Sequence, residues 1–405
     1  MNRLLNCVVG CTLLLCALTV AGWARESLSL DGHWEYVYAA SDRPPTADAG
    51  WQPVRVPSVQ QWRPEGPHCI WYCTTFSVPA AWAGRQVVLK VQGVKFSHRA
   101  FVNGAEVGRH VGGYEPMGYD VTSRLSPTGV NQLLIAAEDW TSLVTPGTPV
   151  SPPAPTAEFV SWVNDALLYP IGSHGSEVGI WQSVSLEARP AVWVDDVFVK
   201  ASVREHRLRL QITVKNDGPT AAQVAVTPQV TEGGVAPALA PQTVTIPAGG
   251  EAVTRFQADW AEPHLWSPQD PHLYTLRVQV GDDVQETRFG FREFWTAGDR
   301  FVLNGQPINL LATASHPMAE YDDDPARAYA IAKSVGCVAM RLHAQPWPEQ
   351  WYRVADETGM LLIFESALWC YSPNYALTKD EFWRHARDHL TAQIRQHRNH
   401  PSIVI

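Results

Sequence analysis

From about residue 28 to residue 290 the chain alternates apolar and polar positions with a period of two. That spacing puts one side of a strand in a core and the other in water. Val87, Leu89 and Val91 are spaced by Val88, Lys90 and Gln92. Val102 is followed by Asn103-Gly104, a pair suited to the positive φ values of a type I′ hairpin. Further short strands follow over 131–135 and 180–184, with a Pro/Thr-rich loop over 145–156 between them. The pattern predicts a jelly-roll-like β-sandwich over residues 25–190. Leu208, Leu210, Ile212 and Val214 then alternate with Arg209, Gln211 and Thr213, and Leu276, Val278 and Val280 repeat the period. Strands of this kind over 191–290 predict an immunoglobulin-like β-sandwich without its cysteine pair.

After Phe291 the period changes. Residues 308–311 predict a buried strand. Asp324-Pro325 places an N-cap and a first-turn proline ahead of a helix that ends before Gly336. Residues 337–341 read as the next strand, Pro348 opens a helix closed by Gly359, and 360–364 is a third strand. A third helix spans 381–396, and 402–405 starts a fourth strand. Strand and helix in short alternation mean βα units on a parallel sheet. Residues 291–405 thus predict the first three βα units and the start of strand four of a (β/α)8 TIM barrel. A closed barrel takes roughly 250 residues, so a truncated barrel is expected here.

The N-terminus changes the picture of location. Arg3 precedes an apolar run over 4–20, and Gly22-Trp23-Ala24 supplies small residues where a signal peptidase reads. A signal peptide over 1–24 is expected, with export to the periplasm or the exterior. No later window is long and apolar enough to span a bilayer, so no membrane insertion is expected after its removal. Three of the seven cysteines lie in this segment. Cys69 and Cys73, on one strand, would be roughly 13 Å apart, too far for a disulfide. A net charge of −9 with no basic cluster excludes nucleic acid as a partner. The 17 tryptophans serve either larger cores or platforms for flat ligand faces such as sugars.

Specific motifs carry a family resemblance across nearly the whole mature chain. They are Trp71-Tyr72, Phe101-Val102-Asn103-Gly104, Tyr119-Asp120-Val121-Thr122 and Gly179-Ile180-Trp181, then Gly290-Phe291-Arg292 and Arg341-Leu342-His343. The most specific is Arg398-Asn399-His400-Pro401-Ser402-Ile403. Together they resemble glycoside hydrolase family 2, the β-galactosidases, β-glucuronidases and β-mannosidases. The resemblance implies retaining, β-galactosidase-like hydrolysis of O-glycosyl bonds by two carboxyl groups. It places the acid/base glutamate in a Trp-Ser-x-x-Asn-Glu motif just past Ile405 and the nucleophile further on. It therefore assigns no catalytic carboxylate and no metal ligand to these residues, and the fragment alone is expected to be inactive. No cofactor is implied, although the complete enzyme leaves room for a divalent cation such as Mg²⁺. The sequence departs from the family at Leu310-Leu311-Ala312 and at His343-Ala344-Gln345-Pro346, where the histidine is shifted by one position. The competing reading is a secreted, non-catalytic carbohydrate-binding protein.

Function on barrels falls at the C-terminal ends of strands. That position selects His316, Arg341, His343, Glu365 and Trp369 as substrate-binding candidates for a carbohydrate, with Tyr371 and Tyr375 nearby. The resemblance sets Arg341 near the nucleophile, where a cation keeps a carboxylate ionised. The alternative is a structural ion pair between Arg341 and Glu365. His385 and His389, four apart, read as a solvated helix face. Asn399-His400-Pro401 reads as the structural turn into strand four.

Overall fold

The computed structural model describes residues 24–40, 43–63, 66–148, 163–173, 176–231, 236–315, 324–369 and 374–405. Residues 1–23 of the expected signal peptide, His316 and Tyr371 lie outside the described residues. Among the described residues, no helix is long and apolar enough to cross a membrane.

The first part is an antiparallel sandwich in which a six-stranded sheet and a four-stranded sheet enclose one core. Its hairpin Ser97–Val102 to Ala105–Val111 turns at Asn103 and Gly104, with φ of 50° and 81°, as the Asn-Gly pair predicts. Leu89, Val91, Val102, Leu133 and Ile135 point into that core, fully buried. Cys69 and Cys73 both lie on the strand Cys69–Phe76 and are free.

The second part pairs a three-stranded sheet with a four-stranded one. Strand Arg207–Asn216 buries Leu208, Leu210, Ile212 and Val214 against Leu276, Val278 and Val280 of Tyr274–Val280. Each such side chain contributes about 1.5–3 kcal/mol of hydrophobic stabilisation.

The third part is a parallel sheet of Ala312–Ser315, Ala339–Leu342 and Leu361–Ile363. Helix α1 (Pro325–Ser334) starts at Asp324, whose side chain accepts from the N–H groups of Ala326 and Arg327. Helix α2 (Glu349–Thr358) ends at Gly359, left-handed at φ 73°. Helix α3 spans Asp380–His397. A parallel bridge from Leu362 to Ile403 begins a fourth strand. The fold is thus two β-sandwiches followed by the opening βα units of a barrel.

The first parallel strand is a correction. Residues 308–311 do not form it. Instead Gln306–Ile308 folds back antiparallel on Arg300–Leu303 through the tight turn Asn304-Gly305, and the parallel strand begins at Ala312. Asn-Gly dictates a hairpin there, which uses Ile308 and leaves Leu311 58% exposed.

The junctions between parts are polar as well as apolar. The half-buried Arg292 donates to the carbonyls of Pro401, at 2.8 Å, and Ile403. Asn399 bonds both ways to the second sandwich, accepting from the Val199 N–H and donating to the Val197 carbonyl. A separate core joins Phe96, Tyr114 and Trp181 of the first sandwich to Ala367, Phe382 and Ala386.

Candidate functional site

The second and third parallel strands bring Arg341 and Glu365 together at their C-terminal ends. Arg341 Nε donates to Glu365 Oε1 at 2.6 Å, and the Ala344 N–H donates to Glu365 Oε2. Both carboxylate oxygens are therefore held, and the contact to Glu365 uses the Nε donor of the guanidinium. The side chains are 40% and 25% exposed, so the pair borders solvent. Ala344, buried, takes φ 67°, a left-handed backbone that a β-carbon disfavours. That bend aims its N–H at Glu365. His343 sits edge-on to Trp369, with ring centroids 5.9 Å apart. Four of the five residues selected from the sequence thus gather at one strand-end surface, and the fifth, His316, is not described. Tyr375 does not join them. It is buried on Phe382 with its hydroxyl donating to the Ala367 carbonyl at 3.2 Å, so it is a core residue and no platform.

The first sandwich closes one side of this region, which the strand-end rule did not reveal. The Tyr114 hydroxyl donates to the Ile171 carbonyl at 3.0 Å and lies 3.2 Å from Gln345 Oε1. The approach requires Gly172, since a β-carbon there would lie 2.5 Å from the Tyr114 oxygen. Gly112-Gly113 ahead of Tyr114 was the available sequence signal of a close backbone approach.

The histidine pair on α3 is a second correction. His389 is 3% exposed, and His385 stacks on Tyr169 at 3.7 Å, so neither lies on a solvated face. The Ala367 N–H donates to His389 Nε2 at 3.1 Å. Nδ1 therefore carries the proton and donates to Glu115 Oε1 at 2.7 Å. Burial pushes the Glu115 carboxyl up, but hydrogen bonds from His110 and His389 outweigh it and hold it well below the usual range. The polar i, i+4 spacing misled because the sandwich supplies the partner from far away in sequence. Glu115→Ala should cost about 1–3 kcal/mol by orphaning the buried His389 N–H. Scanning calorimetry reads this as a lowered midpoint, and an unchanged midpoint would show that the contact is energetically neutral.

Glu365 does not fit a divalent cation such as Mg²⁺. Its two oxygens already accept from Arg341 and Ala344, and a cation would have to sit beside a guanidinium. Among the described residues, the grouping with ligand spacing lies elsewhere, at Glu349, His397 and His400.

Two sandwiches leading into a βα sheet with charged residues at its strand ends define a multidomain class of protein. Residues 26–151 match the sugar binding domain of the Glycosyl hydrolases family 2, and residues 192–292 match a second profile of that family. Together these matches cover more than half of the chain, which belongs to that family. A β-galactosidase of Arthrobacter sp. (strain B7) is 25% identical over 378 residues, covering 87% of this chain and 32% of that protein. A β-glucuronidase of Paenibacillus borealis is 24% identical over 370 residues, covering 83% of this chain and 57% of that one. The chain thus spans about a third to three-fifths of the length of these relatives. The crystal structure of a Bacteroides uniformis β-glucuronidase shares the fold, with TM-score 0.74 and 20% identity over 94% of this chain and 46% of that one. A β-galacturonidase from Eisenbergiella tayi, bound to galacturonate, gives 0.71 and 19% over 94% and 64%.

Proposed function

We propose that these residues form the front part of an exported, retaining β-glycosidase acting on carbohydrate. In this reading Arg341, His343, Glu365 and Trp369, joined by His316, line the subsite that holds the reacting sugar. The observation that carries it is the Arg341–Glu365 pair at the C-terminal ends of adjacent parallel strands, where barrel enzymes keep their chemistry. A fixed cation at that edge favours the ionised form of a neighbouring carboxylate. The Trp369 ring beside His343 offers a flat apolar face with a polar group next to it, which suits a sugar ring. The acid/base and nucleophile of such an enzyme are expected past Ile405. The domain boundaries of this reading are 25–190, 191–290 and 291 onward.

The test begins with the source DNA downstream of the Ile405 codon. A Trp-Ser-x-x-Asn-Glu reading frame is expected. The protein extended to its natural stop should hydrolyse a p-nitrophenyl β-galactoside or β-glucuronide, releasing the β-anomer first by proton NMR. A stop codon after Ile405, or an extended protein inert on both substrates, overturns the reading and leaves sugar binding without chemistry. Release of the inverted anomer would overturn the retaining mechanism alone.

A further inference from the structure

We propose that Glu349, His397 and His400 form a binding site for a divalent transition-metal ion of the zinc class. The site lies between the start of α2 and the end of α3, away from Arg341 and Glu365, and does not depend on the glycosidase reading. Each residue offers one ligand atom, and the three atoms lie within 4.8 Å of one another. His400 Nε2 is 3.2 Å from Glu349 Oε1, close to the roughly 3.3 Å edge of a tetrahedron with 2.0–2.1 Å metal bonds. His397 Nδ1 is 3.8 Å from Glu349 Oε2.

A second observation points independently to a ligand. His397 is 4% exposed, and its Nδ1 has no hydrogen-bond partner among the described residues. A buried ring nitrogen left without a partner costs free energy unless something binds it. The ring is held in place by Tyr352, at 4.3 Å between centroids, and Phe364, at 5.4 Å.

The surroundings supply the other parts of such a site. The Asp356 carboxylate accepts from His400 Nδ1 at 2.6 Å, so Nε2 is the nitrogen turned towards Glu349. A carboxylate behind a ligating histidine fixes its tautomer and raises its basicity, the usual arrangement around histidine-bound zinc. Asp356 is itself fixed by the Ser402 hydroxyl at 2.6 Å. Glu349 opens onto a cleft between α2 and the first sandwich, bordered by Trp181, Gln182 and Gln350, which gives an ion its path in. A water molecule from that cleft would complete four coordination. Two imidazoles and one carboxylate select a borderline ion such as Zn²⁺ over Mg²⁺ or Ca²⁺, which take oxygen ligands. Binding replaces the proton shared between His400 Nε2 and Glu349, and that proton leaves to solvent. The bound ion would staple α2 to α3 just ahead of the fourth strand.

The experiment is calorimetric titration of the untagged, chelator-treated chain with zinc, and a visible-absorption titration with Co²⁺ as a spectroscopic substitute. One equivalent should bind, with cobalt bands of a tetrahedral N/O site. Glu349→Gln, whose parent side chain is 52% exposed, should keep the fold and weaken binding by at least 10-fold. Asp356→Asn should weaken it by about 10–100-fold without removing it. Because Asp356 is buried, circular dichroism of that variant comes first, and the Glu349→Gln result decides alone if it fails to fold. Absence of zinc binding at micromolar concentration, or binding that survives Glu349→Gln unchanged, overturns the proposal.

Discussion

Replacing Asp356 with alanine should lower the stability of the α/β region by about 3–5 kcal/mol, the usual cost of stripping one partner from a buried ionic network. The Asp356 carboxylate, 5% exposed, accepts from His400 Nδ1 at 2.6 Å, from the Ser402 hydroxyl at 2.6 Å and from the Ser402 N–H at 3.1 Å. Its removal orphans two donors of Ser402 and leaves the His400 cation with Glu349 alone. Urea denaturation followed by tryptophan fluorescence reads the loss as a lower midpoint. An unchanged midpoint would mean that Arg292 and Asn399 suffice to hold the fourth strand. Asparagine at 356 should cost less, because its oxygen can still accept from Ser402.

The same network predicts a pH dependence. Burial lowers the His400 pKa, but hydrogen bonds to Asp356 and Glu349 outweigh it, and the group ends pushed up to about 10. A raised folded-state pKa gives stability that is complete below the unfolded value near 6.5 and is lost as pH climbs from there through about 10. His98 has the opposite sign. Burial, with the nearby His110 charge, holds it down to about 3, so its contribution is complete above 6.5 and fades as pH falls towards 3. Stability should therefore fall on both sides of neutrality. In Asp356→Ala the alkaline decline should flatten while the acid decline remains. An alkaline slope that is identical in the variant would remove His400 from the account.

Local rules made the two sandwiches and the helix limits legible. Period-two alternation marked Leu208 to Val214, and Asp324-Pro325 and Gly359 marked helix ends, because each effect acts within a few residues. The strand-end rule brought Arg341, His343, Glu365 and Trp369 to one surface for a similar reason, since strand direction fixes which end each occupies. Three things escaped. Residues 308–311 are apolar enough to look like the parallel strand, and only the pairing of Gln306–Ile308 with Arg300–Leu303 shows that a hairpin uses Ile308. His389 looked solvated because its partner, Glu115, is 274 residues away in sequence. The Glu349–His397–His400 grouping joins two helices whose separation no local pattern encodes. Long-range packing carries all three.

In the enzyme proposed here, Arg341→Ala should cut kcat by about 10²–10³-fold, the size of effect seen when one fixed electrostatic group is removed from a reacting centre. KM should stay within about threefold, because the cation acts on the charge state of a carboxylate and not on ground-state sugar binding. Glu365 holds the guanidinium through Nε at 2.6 Å, and Ala344 fixes the second oxygen of that carboxylate, so the cation has one orientation to offer. Arg341→Lys should recover only part of the rate, since an ammonium on a flexible stem cannot keep Glu365 and also present donors in the same plane. The pH profile separates this role from a structural ion pair. Without the cation a nearby carboxylate protonates more readily, so the acid limb of kcat must move to higher pH. A structural pair predicts the reverse set of results: a lower melting midpoint, with kcat per folded molecule and the acid limb unchanged. Glu365→Gln acts through Arg341 and should shift the acid limb in the same direction by less. If it shifts the limb and Arg341→Ala does not, the carboxylate itself is the group that meets the sugar, and the two roles exchange.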